Sequence, residues 1–333
     1  MKKLLVGLVS VVLAFAVIGC GGKSSGKATR ELKFAHNHNE KNPSHIALLR
    51  FAEIVEKKTN GEITIKFFPN AILGDDRTVV EQVQNGSIDF TRVSANTLEN
   101  FNPEFKALLL PYLFKTDAHF YKTLESDTVK RMYDNLSKSG MIGLTYQDAG
   151  LRSFYMKSAP ITQISDLKGK KIRVINSQSS IRMLELLGGV PVPIPYGEIY
   201  TALQQGVIDG AENNVQALVL DKHGEVAKFY SLDGHVRLTD FVVISLKTWE
   251  SLSPEHQKII REALQESTKY HNELWKKAVE DSTRISQKDM GVKFNDVDKD
   301  LFEAAVQPMY QEAKKDPIVG PVVEEILILR EIK

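Results

Sequence analysis

An α/β protein of two similarly built lobes is predicted by three features of the 333-residue sequence. Short alternating apolar runs give way repeatedly to helical periods, over a length that exceeds one ordinary domain. A helix stopped by glycine and answered at once by a strand occurs in each half, as Gln84-Asn85-Gly86-Ser87-Ile88-Asp89 and as Gln204-Gln205-Gly206-Val207-Ile208-Asp209. A helical pattern then runs from Pro254 to about Met290. At 1.5 Å per residue it is roughly 50 Å long, more than one small domain needs, so it spans both lobes. The alternative is two helices with a break near His271-Asn272. Alternation of this kind favours two open, mostly parallel sheets with a ligand bound beyond the strand ends.

The first residues set the compartment. Lys2 and Lys3 precede an apolar run from Leu4 to Ile18, which is short for a membrane span and has the layout of a secretory signal, giving a signal peptide over residues 1–19. The run ends Val17-Ile18-Gly19-Cys20, the bacterial lipobox pattern, and Cys20 is the only cysteine in the chain. Its expected fate is lipidation; the competing reading is an ordinary cleaved signal beside an incidental cysteine. Residues 20–30, beginning Cys20-Gly21-Gly22-Lys23-Ser24-Ser25-Gly26-Lys27, form a lipid-anchored flexible tether.

Beyond the tether, Leu32, Phe34 and His36 share one face of a strand over Glu31 to His36, and a polar loop from Asn37 to Pro43 follows. Ser44 is placed to cap a helix whose buried stripe is Leu48, Phe51, Ala52 and Val55, and Asn60-Gly61 stops it. Ile63, Ile65 and Phe67 alternate as the next strand, and a helix follows over Thr78 to Asn85. Ile88 to Val93 is again a strand, with Arg92 on the same face as Ile88 and Phe90. Phe241 to Leu246 is an apolar strand, Ser253-Pro254-Glu255 opens the long helix, and Gly291 ends it. Val292 to Val297 and a helix over Val322 to Ile332 finish the chain.

The chemistry concentrates between Tyr146 and Asn214. In Lys170-Lys171-Ile172-Arg173-Val174 an arginine sits within a short buried strand, where a guanidinium survives only if something anionic meets it. Arg152 precedes the strand Ser153 to Met156, and Asn213-Asn214 end a third strand. Two arginines and an amide donor are the equipment for gripping one carboxylate. Other roles compete: a structural pair with Asp148 for Arg152, a cap on the following helix for Asn213 and Asn214, a helix cap for Asp76, and core packing for Tyr196.

Other classes are disfavoured. The chain has 43 basic and 42 acidic residues, which indicates neither a nucleic-acid surface nor disorder. A single cysteine allows no internal disulfide, and His36 with His38 lacks the companions of a metal site. No P-loop or dinucleotide fingerprint occurs, so no cofactor is expected. A paired-carboxylate hydrolase using Asp148 and Glu212 is the remaining enzymatic alternative.

Asp166 to Val174, Pro191 to Tyr200 and Thr201 to Asn213, together with Phe68-Pro69-Asn70 and Leu73 to Arg77, make the chain resemble the DctP family, the substrate-binding proteins of TRAP transporters. The resemblance implies an α/β, two-lobe periplasmic-binding-protein architecture with crossing strands and a long interlobe helix. It divides the chain into lobe I, residues 31–151 and 239–272, and lobe II, residues 152–238 and 273–333, with the helix over about 254–290 spanning both. It places Arg173 as the principal carboxylate arginine, Asn213 as its amide partner and Arg152 as the second arginine, with Asn176, Tyr196 and Asp148 close by and Asn37, Asp76 and Arg92 shaping the rest of the ligand site. Tyr146 to Tyr155, Thr91-Arg92-Val93 and Ala211 to Asn214 are similar to members that bind hexuronates such as D-glucuronate and D-galacturonate. Diketogulonate, sialate and C4-dicarboxylates are the alternatives, and Ser94, where sialate binders carry an acidic residue, argues against sialate. The implied partners are DctQ-like and DctM-like membrane subunits, with a monomer touching the membrane through its lipid alone and binding no nucleic acid. Replacing Cys20 with alanine is expected to release the protein from membranes without changing ligand affinity; membrane fractionation beside calorimetry checks this, and a variant that still sediments with membranes contradicts it.

Overall fold

The structure is a computed structural model and describes residues 29–331. The signal peptide, Cys20 and the tether up to residue 28 lie outside the described residues, and the first strand already begins at Arg30.

Strand β1 (Arg30–Ala35) leads to helix α1 (Pro43–Lys58), β2 (Ile63–Phe68), α2 (Asp76–Asn85), β3 (Phe90–Ser94) and the short α3 (Ala95–Leu98). After α4 (Asp117–Leu124) and α5 (Asp127–Asn135) comes the 16-residue β4 (Met141–Met156), then β5 (Lys171–Val174), α6 (Gln178–Leu186), β6 (Val190–Pro193), α7 (Ile199–Gln205) and β7 (Gly210–Asn213). The turns α8 (Gln216–Leu220) and α9 (His223–Val226) precede the 17-residue β8 (Phe229–Ser245), which is followed by α10 (Leu246–Glu250), α11 (Pro254–Lys288), β9 (Lys293–Asn295), α12 (Lys299–Lys315) and α13 (Val319–Glu331).

The helix starts follow from capping chemistry, with two corrections to the sequence reading. Asn42, not Ser44, caps α1: its side chain accepts from the Ser44 backbone N–H, with Pro43 in the first turn. Ser44 Oγ instead meets His271 Nε2 at 3.1 Å. Asp75 caps α2, so that helix begins at Asp76 rather than Thr78 and releases the Asp76 carboxyl for another purpose. Ser253 and Pro254 open α11 as expected, and its 35 residues continue without a break at His271.

Two separate sheets were expected; the strands form one continuous path, β2-β1-β3-β8-β4-β7-β5-β6, with β9 on β8. The reason is the length of β4 and β8. They pair antiparallel from Met141↔Ser245 to Met156↔Phe229, so one end of the ribbon extends the β1-β2-β3 sheet of the first lobe and the other extends the β5-β6-β7 sheet of the second. Parallel pairing prevails within each lobe. Phe34, Phe51 and Phe90 are fully buried in the first lobe, and Tyr155, Leu203 and Ala211 in the second. Each large apolar side chain contributes about 1.5–3 kcal/mol of burial.

The sequence division also gave residues 273–333 to the second lobe as a block. The structure separates them. α12 packs on α6 and β8, whereas α13 returns to α4 and α5 of the first lobe. There Glu325 accepts from Thr128 Oγ1 and Arg131 Nη2, both at 2.6 Å, and the Ile326 carbonyl meets His119 Nε2 at 2.9 Å. Val322, Val323 and Ile326 complete a core with Phe120, Val129 and Met132, which supplies the reason for the return.

Midway along the ribbon the β4–β8 register shifts between Asp148 and Leu151 and again between Arg152 and Phe154. Gly150 sits in this bulge with φ +79°, and a Cβ there would meet Trp275 of α11 at 3.1 Å and Asn214 at 3.2 Å. Gly150→Ala is therefore expected to lower stability by about 1–2 kcal/mol. Urea unfolding measures this, and an unchanged midpoint would show that the bulge needs no glycine.

Candidate ligand site

Both lobes contribute walls to a closed cleft at the ribbon's midpoint. A cavity of ≈ 50 Å³ is bounded by Asn37, His38, Asp76 and Arg92 from the first lobe and by Arg152, Arg173, Tyr196, Asn213 and Gln216 from the second. An adjoining cavity of ≈ 80 Å³ shares Asn37, Asp76, Arg173 and Tyr196 and adds Asn176. The lobes touch across this space: Asn39 donates to the Leu220 carbonyl at 3.2 Å, and the His38 and Tyr196 rings meet edge to face at 5.6 Å.

The two arginines of the second lobe lie in opposite electrostatic situations. Arg152 Nε donates to Glu212 Oε2 at 2.5 Å, Nη1 to Asn213 Oδ1 at 2.6 Å, and Nη2 to the Glu212 carbonyl at 2.6 Å and Oε1 at 2.8 Å. Four of its five N–H groups are thereby committed. Its structural partner is thus Glu212 rather than Asp148. Glu212 in turn faces His235 Nε2 at 3.3 Å, and His235 Nδ1 bonds Asp233 Oδ2 at 2.6 Å. Burial opposes charge on Glu212, yet Arg152 and then His235 hold its pKa down to about 2. Burial likewise opposes a charged His235, but Asp233 and Glu212 push it up to about 9. The result is a buried chain of alternating charge whose cationic end is Arg152.

Arg173 has no such partner. It is 3% exposed, its Nε donates to the Ile194 carbonyl at 3.0 Å, and its guanidinium lies 5.9 Å from the Tyr196 ring centre. Among the described residues no carboxylate forms an ion pair with it, and Nη1 is buried without an acceptor. Burial pushes its pKa below the usual arginine range, with Arg152 adding repulsion and Glu212 only partly opposing. A cation left in this state calls for an anion.

Further unpaired polar atoms surround the same cavity. Asn37 Oδ1, His38 Nδ1 and both amide atoms of Gln216 are buried without partners. Asn213 Oδ1 is taken by Arg152 and by the Asn214 N–H, while no bond to its Nδ2 occurs among the described residues. Asp76 Oδ2 accepts from Asn37 Nδ2 at 3.0 Å; burial, then Asp240, raises its pKa to about 7, against the pull of Arg92 and Arg173. His38 stays neutral, its pKa lowered by burial and by Arg92. Among the described residues lining the cleft, Arg173 is thus the cation without an ion-pair partner, and it sits among hydrogen-bonding groups on which burial disfavours charge.

Most of the residues expected here arrive together, with three adjustments. Asn176 lines the adjoining cavity rather than the main one. Arg92 lines the main cavity but is not a free cation, because it pairs with Asp240 and donates to Gln147 Oε1 at 3.1 Å. Asp148 lies outside both cavities: its carboxylate receives Arg237 Nη2 at 2.6 Å, the Tyr121 hydroxyl at 2.9 Å and the Gly150 N–H at 2.8 Å. That engagement also removes it from any carboxylate pair with Glu212, which Arg152 and His235 occupy. The sequence reading missed Gln216. Its one signal was a polar residue within the apolar run Val215-Gln216-Ala217-Leu218.

Two α/β lobes joined by crossing strands, closed over an unneutralised arginine, define a periplasmic-type solute-binding protein. The chain belongs to the DctP family, bacterial extracellular solute-binding protein family 7, whose model matches residues 34–316. It is similar to a TRAP periplasmic solute-binding protein from Anaerococcus prevotii solved with bound D-glucuronate, at 35% identity and TM-score 0.88 over 90% of this chain and 98% of that one. It is also similar to one from Xanthobacter autotrophicus with bound β-D-galacturonate, at 36% identity and TM-score 0.86 over 89% and 98%. Among relatives, the 2,3-diketo-L-gulonate-binding periplasmic protein YiaO of Escherichia coli is 32% identical over 89% of this chain and 91% of its own length. The protein is thus an extracytoplasmic TRAP solute-binding protein and not an enzyme.

The contrast between the arginines gives a test. Arg173→Lys keeps the charge and loses the planar fork, so affinity for a sugar acid should fall more than about tenfold with little change in the unliganded melting temperature. Arg152→Ala leaves Glu212 without its main counter-charge and should cost about 3–5 kcal/mol of stability as well as affinity. Calorimetry and urea unfolding separate these outcomes, and a stable, tight-binding Arg173→Lys variant would remove Arg173 from the site.

Proposed function

We propose that the protein binds a hexuronate, D-glucuronate or D-galacturonate, and delivers it to DctQ-like and DctM-like membrane subunits. The observation that carries this reading is Arg173, a buried guanidinium without a counter-ion, surrounded by unpaired neutral polar atoms. The first feature suits one carboxylate, and the second suits several hydroxyls. In this assignment Arg173, Asn213 Nδ2 and the remaining Arg152 N–H take the carboxylate. Asn37, His38, Asp76 and Gln216 take the hydroxyl arms, Tyr196 covers one face of the ring, and Arg92, fixed by Asp240, shapes the far wall. Support comes from the two solved relatives that hold D-glucuronate and β-D-galacturonate. The similarity to YiaO makes 2,3-diketo-L-gulonate the second reading.

The ligand touches both lobes in this arrangement, so it stabilises only the closed state and shifts the population toward it. The proposed hinge is the shifted ribbon near Arg152 and Asp240, with α11 bending to follow. Lipidation at Cys20, read from the sequence, would hold this clamp at the membrane surface beside the transporter.

A thermal-shift screen decides among the acids. D-glucuronate and D-galacturonate at 100 times their Kd should stabilise the fold by about 2.7 kcal/mol, and Gln216→Ala should weaken both while sparing a short monocarboxylate. A larger shift with 2,3-diketo-L-gulonate would favour the second reading, and no shift with any sugar acid would defeat the assignment.

A further inference from the structure

Helix α3, directly after β3 of the first lobe, and the N-terminus of α6 in the second lobe meet at the edge of the cleft. Glu99, the residue after α3, is 4% exposed, and its carboxylate accepts the Ser179 backbone N–H at 3.0 Å and also the Ser179 hydroxyl. Asn96, on α3 itself, donates from Nδ2 to Ser177 Oγ and Ser180 Oγ, both at 2.9 Å. Ser177 is the cap of α6, its own Oγ accepting the Ser180 N–H at 3.1 Å. The first turn of a second-lobe helix is therefore held by two side chains of the first lobe. A carboxylate is well matched to that end of a nine-residue helix, where unpaired N–H groups and the positive end of the dipole face it.

This contact lies outside the two cavities of the cleft, and Asn96, Ser179 and Ser180 line a separate cavity of ≈ 10 Å³ that also reaches Arg152 and Glu212. None of Asn96, Glu99, Ser177, Ser179 and Ser180 lines either cavity of the cleft. It exists only while the lobes are together, because α3 is tied to the first-lobe sheet through β3, and α6 to the second through β5 and β6. We propose that Glu99 and Asn96 form a clasp that sets how tightly the protein holds its acid without touching it, making Glu99 a positioning residue for binding. The physical route is conformational. When only the closed form binds tightly, apparent affinity scales with the fraction closed, and any contact confined to that form raises affinity and slows release. A charge-assisted hydrogen bond with a second one beside it corresponds to about tenfold in that equilibrium.

The proposal rests on the clamp reading above, and its test separates the two. In the full chain, Glu99→Gln keeps the shape and loses the charge, while Ser179→Ala removes the hydroxyl. Each should weaken D-glucuronate about tenfold in calorimetry, mainly through faster dissociation in stopped-flow, and the double variant should lose less than the sum of the two. Without any ligand, small-angle scattering should show a larger radius of gyration for Glu99→Gln than for the unchanged protein. Arg173→Lys is the control: it should lose binding and keep the unliganded radius. An unchanged radius with unchanged affinity overturns the clasp, and so does an unchanged radius with a lowered unfolding midpoint, which would make Glu99 structural only. If the unchanged protein ignores D-glucuronate, the hexuronate reading fails while the unliganded radius still decides the clasp.

Discussion

Taking a guanidinium out of water costs several kcal/mol even after relaxation, and the second lobe spends that free energy at Arg173 while neutralising Arg152 only two strands away in the sheet. β5 lies beside β7, which lies beside β4, so the two arginines occupy one end of one sheet. Glu212, on the strand between them, turns its carboxylate to Arg152 and leaves Arg173 unmatched. The unmatched positive charge in the pocket follows from that single choice of partner. Had Glu212 faced Arg173 instead, the site would present a closed ion pair with no demand for a ligand.

The first lobe complements this arrangement by withholding charge. His36, His38, His45 and His271 crowd the region behind Arg92, and burial keeps all four below the usual histidine range, with Arg92 adding repulsion for His36, His38 and His271. Neutral imidazoles present one donor and one acceptor each, as in the 2.9 Å contact between His36 and His45. Arg92 is itself cancelled by Asp240. In the proposed assignment a ligand would meet a directional surface with little charge on one side and a point of positive charge on the other, an asymmetry suited to a molecule with one acid end and several hydroxyls.

Local patterns made much of this legible. The alternation at Glu31 to His36, the serine and proline before Glu255 and the arginine between Ile172 and Val174 each announce their element through nearest-neighbour chemistry. What escaped depends on distant partners. β4 and β8 read as short strands because Gly150 and Gly234 interrupt the apolar pattern, yet pairing between the two strands carries them through the interruption. The resemblance placed Arg92 and Asp148 at the ligand, but the ion pairs that engage them depend on Asp240 and Arg237, 148 and 89 positions further on. Gln216 carries no charge to draw attention. Residue type tells that a buried polar group needs a partner, and only the fold tells whether the protein or the ligand supplies it.

The return of α13 to the first lobe bears on how the chain reaches this form at all. The helix that closes the core around Phe120, Val129 and Met132 is synthesised well after the helices it packs on, so the first lobe stays incomplete until Val319–Glu331 is present. Contacts spanning nearly 200 residues, such as Thr128 with Glu325, close slowly because the chain entropy of so large a loop is lost before the contact forms. A polypeptide that cannot seal its core until α13 is present stays open for longer, with the apolar side chains of that core exposed meanwhile to other chains.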